Sequence, residues 1–260
     1  VFGFHRSMDT VGAVLGPLLA LVYLTYNPEN YKSLFYLTLF PGLVALIFTF
    51  LIKEKKKEFV EKKSKPRFLD FLKYWKESPA NYRRLVAGLL VFALFNSSDV
   101  FLLLRIKEAG CSDTTVIGAY IFYNMIYAAF AFPLGILADK IGMKKIFISG
   151  LILFAIVYFG MALVQEKWLF FILFFLYGIY AAATDGIAKA WISNICKKEN
   201  TATAIGTYTA FQSMTTLLAS SFAGLFWFSL GSSLTFIMSA IVAIGVSAYI
   251  AMLKNRQENG

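Results

Sequence analysis

Apolar residues gather in eight stretches, at about 4–25, 33–52, 85–104, 114–138, 146–164, 168–190, 203–228 and 233–253, separated by short polar connections. Each comes close to the roughly 20 residues with which a helix crosses a hydrocarbon core about 30 Å thick. Runs such as Leu151-Ile152-Leu153-Phe154-Ala155-Ile156-Val157 do not alternate in polarity, which excludes the strands of a membrane barrel. The pattern predicts an all-α integral membrane protein. The long polar stretch at 53–84 holds twelve Lys/Arg and five Asp/Glu and divides two helices, at 1–52, from six, at 85–260. Its Phe68-Leu69-Asp70-Phe71-Leu72-Lys73-Tyr74-Trp75 is amphipathic and reads either as a short helix along the headgroups or as part of a solvated linker.

Composition sharpens this. With 58% hydrophobic residues, 15% charged and 27 Phe, too much apolar surface exists for one water-facing globule, so a soluble enzyme, a disordered chain and a fibrous protein are excluded. The formal charge of +10 is explained by topology once Lys and Arg are sorted by side. Twenty fall on the side of the linker, the 139–145 loop and the C-terminus, and four, Lys32, Arg105, Lys107 and Lys167, on the other. The positive-inside rule places the first side in the cytoplasm and the protein in the cytoplasmic membrane. The expected partner is the lipid bilayer, and nucleic acid is not needed to explain the charge. Cys111 and Cys196 lie in different inter-helix regions and form no metal-binding or disulfide pattern, so no metal or cofactor is expected.

Charges inside membrane segments are costly and are functional candidates by default. Asp185 and Lys189, four residues apart on one helix, can neutralise each other. Asp99 has no such local partner and follows Asn96-Ser97-Ser98, a polar break in an apolar segment. It is a candidate for proton or substrate binding, with an interfacial ion pair to Arg105 as the rival reading. Polar side chains also form one-face stripes: Tyr120, Tyr123, Asn124 and Tyr127 on one helix, and Tyr208, Gln212, Thr215 and Thr216 on another. Such stripes line an aqueous cavity or join helices through hydrogen bonds.

The stretch Gly135-Ile136-Leu137-Ala138-Asp139-Lys140-Ile141-Gly142-Met143-Lys144-Lys145 resembles the G-x-x-x-D-x-x-G-x-[RK]-[RK] loop signature of the major facilitator superfamily. In physical terms, its glycines allow a tight turn, Asp139 can cap a helix N-terminus, and Lys144 and Lys145 anchor at the headgroups. Gly3, Gly12, Gly16 and Pro17 reproduce G-x8-G-x3-G-P, similar to the fifth-helix signature of that superfamily's antiporters, although Ala20-Leu21 replaces the family's following Gly-Gly. The Gly12 and Gly16 spacing suits close helix approach, and Pro17 a bend. Phe4-His5-Arg6-Ser7-Met8-Asp9-Thr10 and Asp185-Gly186-Ile187-Ala188-Lys189-Ala190 are similar to a bacterial subgroup whose substrates are poorly defined.

The resemblance implies that these are the fifth to twelfth helices of twelve, with the first four outside the chain and needed for a complete transporter. It further implies a secondary transporter that moves a small organic solute by alternating access, with proton-coupled export suggested by the antiporter-like glycines. Family pseudo-symmetry sets the 139–145 loop against the start of the first helix, where Arg6 and Asp9 form an inter-half latch with Asp139 and Lys144 or Lys145. The alternatives are a non-transporting sensor or an integral-membrane enzyme. For the latter, a single histidine, His5, and the lack of further aspartates after Asp185 leave little chemistry.

Overall fold

The computed structural model describes residues 2–27, 30–51 and 70–253, without the side chains of 2–10, 31, 70 and 71. Among the described residues ten α-helices run in chain order: α1 (Phe2–Tyr26), α2 (Tyr31–Leu51), α3 (Asp70–Glu77), α4 (Ala80–Phe95), α5 (Val100–Glu108), α6 (Asp113–Ile141), α7 (Met143–Leu163), α8 (Lys167–Ile195), α9 (Thr201–Leu230) and α10 (Ser232–Met252). No strand occurs among the described residues. Taking α4 and α5 as one crossing, seven helical spans among the described residues are long and apolar enough to cross a membrane, and Val11–Tyr26 of α1 is a shorter apolar stretch. The all-α expectation is met.

The core is built around α7, where Leu151, Phe154, Val157, Tyr158 and Met161 are fully buried. This helix lies between α8 and α10, while α6 packs along α8 and α4 meets α9 and α10. Small side chains on α10, among them Ala240, Ala243 and Ser247, allow that approach, as expected where packing rather than water exclusion joins helices in lipid. The antiparallel α7–α10 pair is clasped at both ends. Ser233 Oγ donates to the Ala162 carbonyl at 2.8 Å, and at the other end Lys144 Nζ donates to the carbonyls of Ala251 and Leu253 at 2.8 and 2.6 Å.

Helix α1 lies along α6, touching α8, and α2 leans on α1. The outer faces of α1 and α2 are apolar and exposed: Leu19, Phe35 and Phe50 show 68, 74 and 84% of their surface. Short α3 docks back onto the bundle. Its Trp75 ring meets Phe211 of α9 edge-on at 5.4 Å and Tyr74 meets Tyr82 of α4 at the same separation. The amphipathic stretch is thus a docked helix rather than only a solvated linker.

Two boundaries differ from the sequence expectation. The third segment begins earlier, at Ala80, and is interrupted at 96–99 before α5 resumes. Residues 139–145 do not form a loop: α6 continues through Asp139 and Lys140 to Ile141, and α7 starts at Met143. One residue, Gly142, makes the whole turn with φ 102°, a backbone conformation that only glycine adopts without a Cβ penalty.

Candidate functional site

The break between α4 and α5 organises the polar interior. Asn96 leaves the helix with φ −92° and ψ 86°, its N–H still bonded to the Phe92 carbonyl. Pairing then lapses until the N–H groups of Phe101 and Leu102 bond the carbonyls of Ser98 and Asp99. This places Asp99 at the start of α5, half-buried, between α6 and α8. Tyr123 of α6 donates its hydroxyl to Oδ2 of Asp99, and Tyr177 of α8 donates to Oδ1 at 2.5 Å. One turn along α8, the Tyr180 hydroxyl accepts from Asn96 Nδ2 at 2.9 Å. Rings of Tyr123 and Tyr177 stand edge to face at 5.3 Å, Tyr177 and Tyr180 are equally close, and Tyr180 meets Phe154 of α7 at 5.0 Å. The result is a carboxylate held by phenols from two neighbouring helices inside an aromatic shell.

Gly178 makes this convergence possible. A Cβ there would fall 2.7 Å from the Tyr123 carbonyl oxygen and 2.8 Å from Ile126 Cβ, so α6 and α8 approach through backbone contact at the level of Asp99.

Arg105 does not pair with Asp99. It is buried and turned to the end of α7, where Nε donates to the Met161 carbonyl at 2.8 Å and Nη2 to that of Val164 at 3.2 Å. Its Nη1 meets Glu108 at 3.3 Å. A guanidinium fork suits this task because several donors meet the orphan carbonyls of a helix C-terminus, whose dipole favours the positive charge. The rival ion-pair reading of Asp99 is removed.

The proposed pairing of Asp185 with Lys189 is not formed. Ion pairs between described residues are Lys73 with Glu77, Arg105 with Glu108 and Lys107 with Asp113. Asp185 instead accepts from the Tyr127 hydroxyl across the α6–α8 contact at 2.8 Å, and Lys189 is half-buried. Four residues of helical spacing permit a pair but do not impose one when a neighbouring helix offers a donor.

The α6 stripe does occupy one face, from which Tyr123 and Tyr127 reach Asp99 and Asp185. Tyr123, Asn124 and Tyr127 are buried, with Tyr120 half-buried beside them, and Asn124 Nδ2 turns back to the Tyr120 carbonyl at 2.9 Å. On α9, Tyr208 is buried, Gln212 and Thr215 are half-buried and Thr216 is exposed. Thr215 donates to its own helix, at the Phe211 carbonyl.

Asp139 is exposed and has no hydrogen bond or ion pair among the described residues, and α7 begins without a side-chain cap. Lys145 is exposed, whereas Lys144 is taken by the end of α10. Gly135 sits inside α6. A Cβ on Gly12 or Gly16 would meet no described atom within 4 Å, so neither marks a close helix contact here, and Pro17 lies within a continuous α1. The side chains of Arg6 and Asp9, like the position of Gly3 on its face, lie outside the described residues.

Sequence reasoning missed Tyr158, Tyr177 and Tyr180. The available signal was three phenols inside the apolar segments 146–164 and 168–190, where a hydroxyl has to find a partner.

An all-α bundle with seven membrane-length spans among the described residues and a polar centre built on a broken helix defines a multi-pass membrane protein. The profile of the Major Facilitator Superfamily matches residues 105–259, and the chain belongs to that family. It is similar to an uncharacterized MFS-type transporter of Methanocaldococcus jannaschii, with 32% identity over 249 residues. That match covers 94% of this chain but 61% of the relative, so the chain spans less than two thirds of the length of the protein it resembles. Membership supports a transporter rather than an enzyme.

Proposed function

We propose that the full-length protein is a secondary active transporter of the cytoplasmic membrane that carries a small organic solute by alternating access, exporting it in exchange for protons. In this reading α1 and α2 are the last two helices of one half-bundle and α4 to α10 the other half, with the linker and C-terminus in the cytoplasm. The observation that carries it is Asp99: an acidic group in the middle of a membrane-crossing helix, without a described cationic partner and held by Tyr123 and Tyr177. A charge in that setting is retained for a reason, and a broken helix at the centre of a half-bundle is where transporters gather substrate and coupling ions. Family membership supports transport itself.

Asp139 serves in the latch between halves, since it is exposed at the α6 end and faces no described partner, while Lys144 is committed to α10. That leaves Arg6 and Lys145 as the positive groups for a contact across the halves.

The test is solute-dependent proton movement in proteoliposomes holding the full-length protein, with a library of small organic solutes added on one side. Saturable solute efflux accompanied by inward proton flux is expected. Solute movement without proton flux would remove the coupling and keep the transporter, whereas no solute-dependent flux would favour a sensor.

A further inference from the structure

Asp99 accounts for only part of the polar chemistry at the α4–α5 break. Among the described residues, carbonyls of residues 93–97 accept no backbone hydrogen bond, since their usual donors lie in the interrupted stretch. Those of residues 93–95 belong to the C-terminal end of α4, where free carbonyl oxygens point along the axis into the break and the helix dipole is negative. One buried side-chain atom adds to them: Asn96 Oδ1 has no hydrogen-bond partner among the described residues. Tyr158 is fully buried, and its hydroxyl lies within electrostatic reach of Ser97 and Asp99. Asn96 and Asp99 are tied to adjacent phenols of α8 whose ring centres are 5.3 Å apart, so all these groups share one locus.

Backbone groups without partners do not persist in the hydrocarbon region unless protein, water or an ion meets them. The break offers three backbone N–H groups, at 97–99, against five carbonyls and an amide oxygen, a surplus of lone pairs over protons. A carboxylate stands beside them with no described cation to balance it, because Arg105 is spent on α7 and Glu108. Water would satisfy some lone pairs but leave the charge. A desolvated monovalent cation satisfies both, in the way unwound segments and half-helix C-termini hold ions in other transporter folds. A divalent ion would call for more carboxylates, and no group of three or more His, Cys, Asp or Glu occurs among the described residues.

We propose that the α4–α5 break is a binding site for an alkali cation of sodium size, held by Asn96 Oδ1 and the carbonyls at the end of α4, with Asp99 supplying the balancing charge. It goes beyond the transport reading and requires no flux, so the two stand or fall separately.

The experiment is equilibrium dialysis of radioactive sodium against the full-length protein in lipid nanodiscs, with choline chloride holding ionic strength constant. Thermal unfolding is followed across the same sodium series. Saturable binding of one ion per chain is expected, with a matching rise in unfolding temperature that choline does not reproduce. Asn96→Leu and Asp99→Asn should each weaken sodium binding by about tenfold or more, while Asp113→Asn, at the exposed start of α6, leaves it unchanged. Absence of saturable sodium binding to the folded wild-type protein would overturn the proposal and leave water as the occupant of the break. Unchanged binding in both Asn96→Leu and Asp99→Asn would equally overturn it, by placing the ion elsewhere.

Discussion

The Tyr177 hydroxyl of α8 donates to Asp99 Oδ1 at 2.5 Å across 78 residues of sequence, and this contact joins the broken crossing α4–α5 to the bundle centre. It also separates two roles that one substitution would otherwise confuse. Asp99→Asn should abolish proton-linked transport while the protein still folds, since the amide oxygen still accepts from one phenol and the amide NH2 can donate to the hydroxyl oxygen of the other. Tyr177→Phe should keep transport but weaken the site, costing about 1–2 kcal/mol of stability for a lost bond to a charged group. Solute-driven proton flux and denaturant unfolding of both full-length variants check this, and full proton flux in Asp99→Asn would reject the role of Asp99.

Arg105 is predicted to be structural. Arg105→Ala leaves the Met161 and Val164 carbonyls bare in a buried position and should destabilise by about 3 kcal/mol. Arg105→Lys should recover little, because one ammonium cannot reproduce the fork. Glu108→Gln should cost under about 1 kcal/mol, as its carboxylate is half-exposed. Unfolding of the three variants in mixed micelles gives the order.

At Gly178 the prediction is steric. Gly178→Ala drives a methyl group against the Tyr123 carbonyl oxygen, which cannot swing aside, and should destabilise by about 1–3 kcal/mol. Gly135→Ala, with no described atom within 4 Å of the added Cβ and a helical backbone, should be neutral or stabilising by up to about 1 kcal/mol. Equal effects at the two positions would contradict the close α6–α8 approach.

The docking of α3 is readable through Cys196. The Tyr74 hydroxyl donates to its sulfur at 3.6 Å, and burial pushes the Cys196 thiol up from its ordinary range, so at neutral pH it is largely protonated and alkylates slowly. Trp75→Ala removes the contact with Phe211, should release α3, and should lower the thiol pKa toward its ordinary value. Reactivity with a maleimide should then rise several-fold and its pH dependence shift to lower pH. Cys111, buried elsewhere, serves as the internal reference.

Orientation has a direct test. Gln165→Cys, exposed in the α7–α8 connection, should react with an impermeant thiol reagent in intact cells, and Lys198→Cys, exposed between α8 and α9, should resist it until the membrane is opened. The reverse pattern would invert the charge-based topology.

By itself the sequence determined the helices and their membrane environment, because apolar length in lipid leaves the backbone few alternatives to bonding within its own segment. It also marked the polar break at Asn96-Ser97-Ser98 and the turn-permitting glycines of 135–145, local properties of backbone and polarity, but not that the helix stops at the first or that Gly142 alone makes the turn at the second. Tertiary structure decided partners. Spacing put Tyr123 and Tyr127 on one face of α6, but only the approach of α8 at Gly178 settled that one phenol meets Asp99 and the other Asp185. Arg105 lay six residues from Asp99, yet the end of α7 claimed it. Lys144 looked like a headgroup anchor and instead closes α10. A polar side chain in a membrane interior bonds whichever complementary group lies within about 3 Å, and that group usually arrives on a helix dozens of residues away.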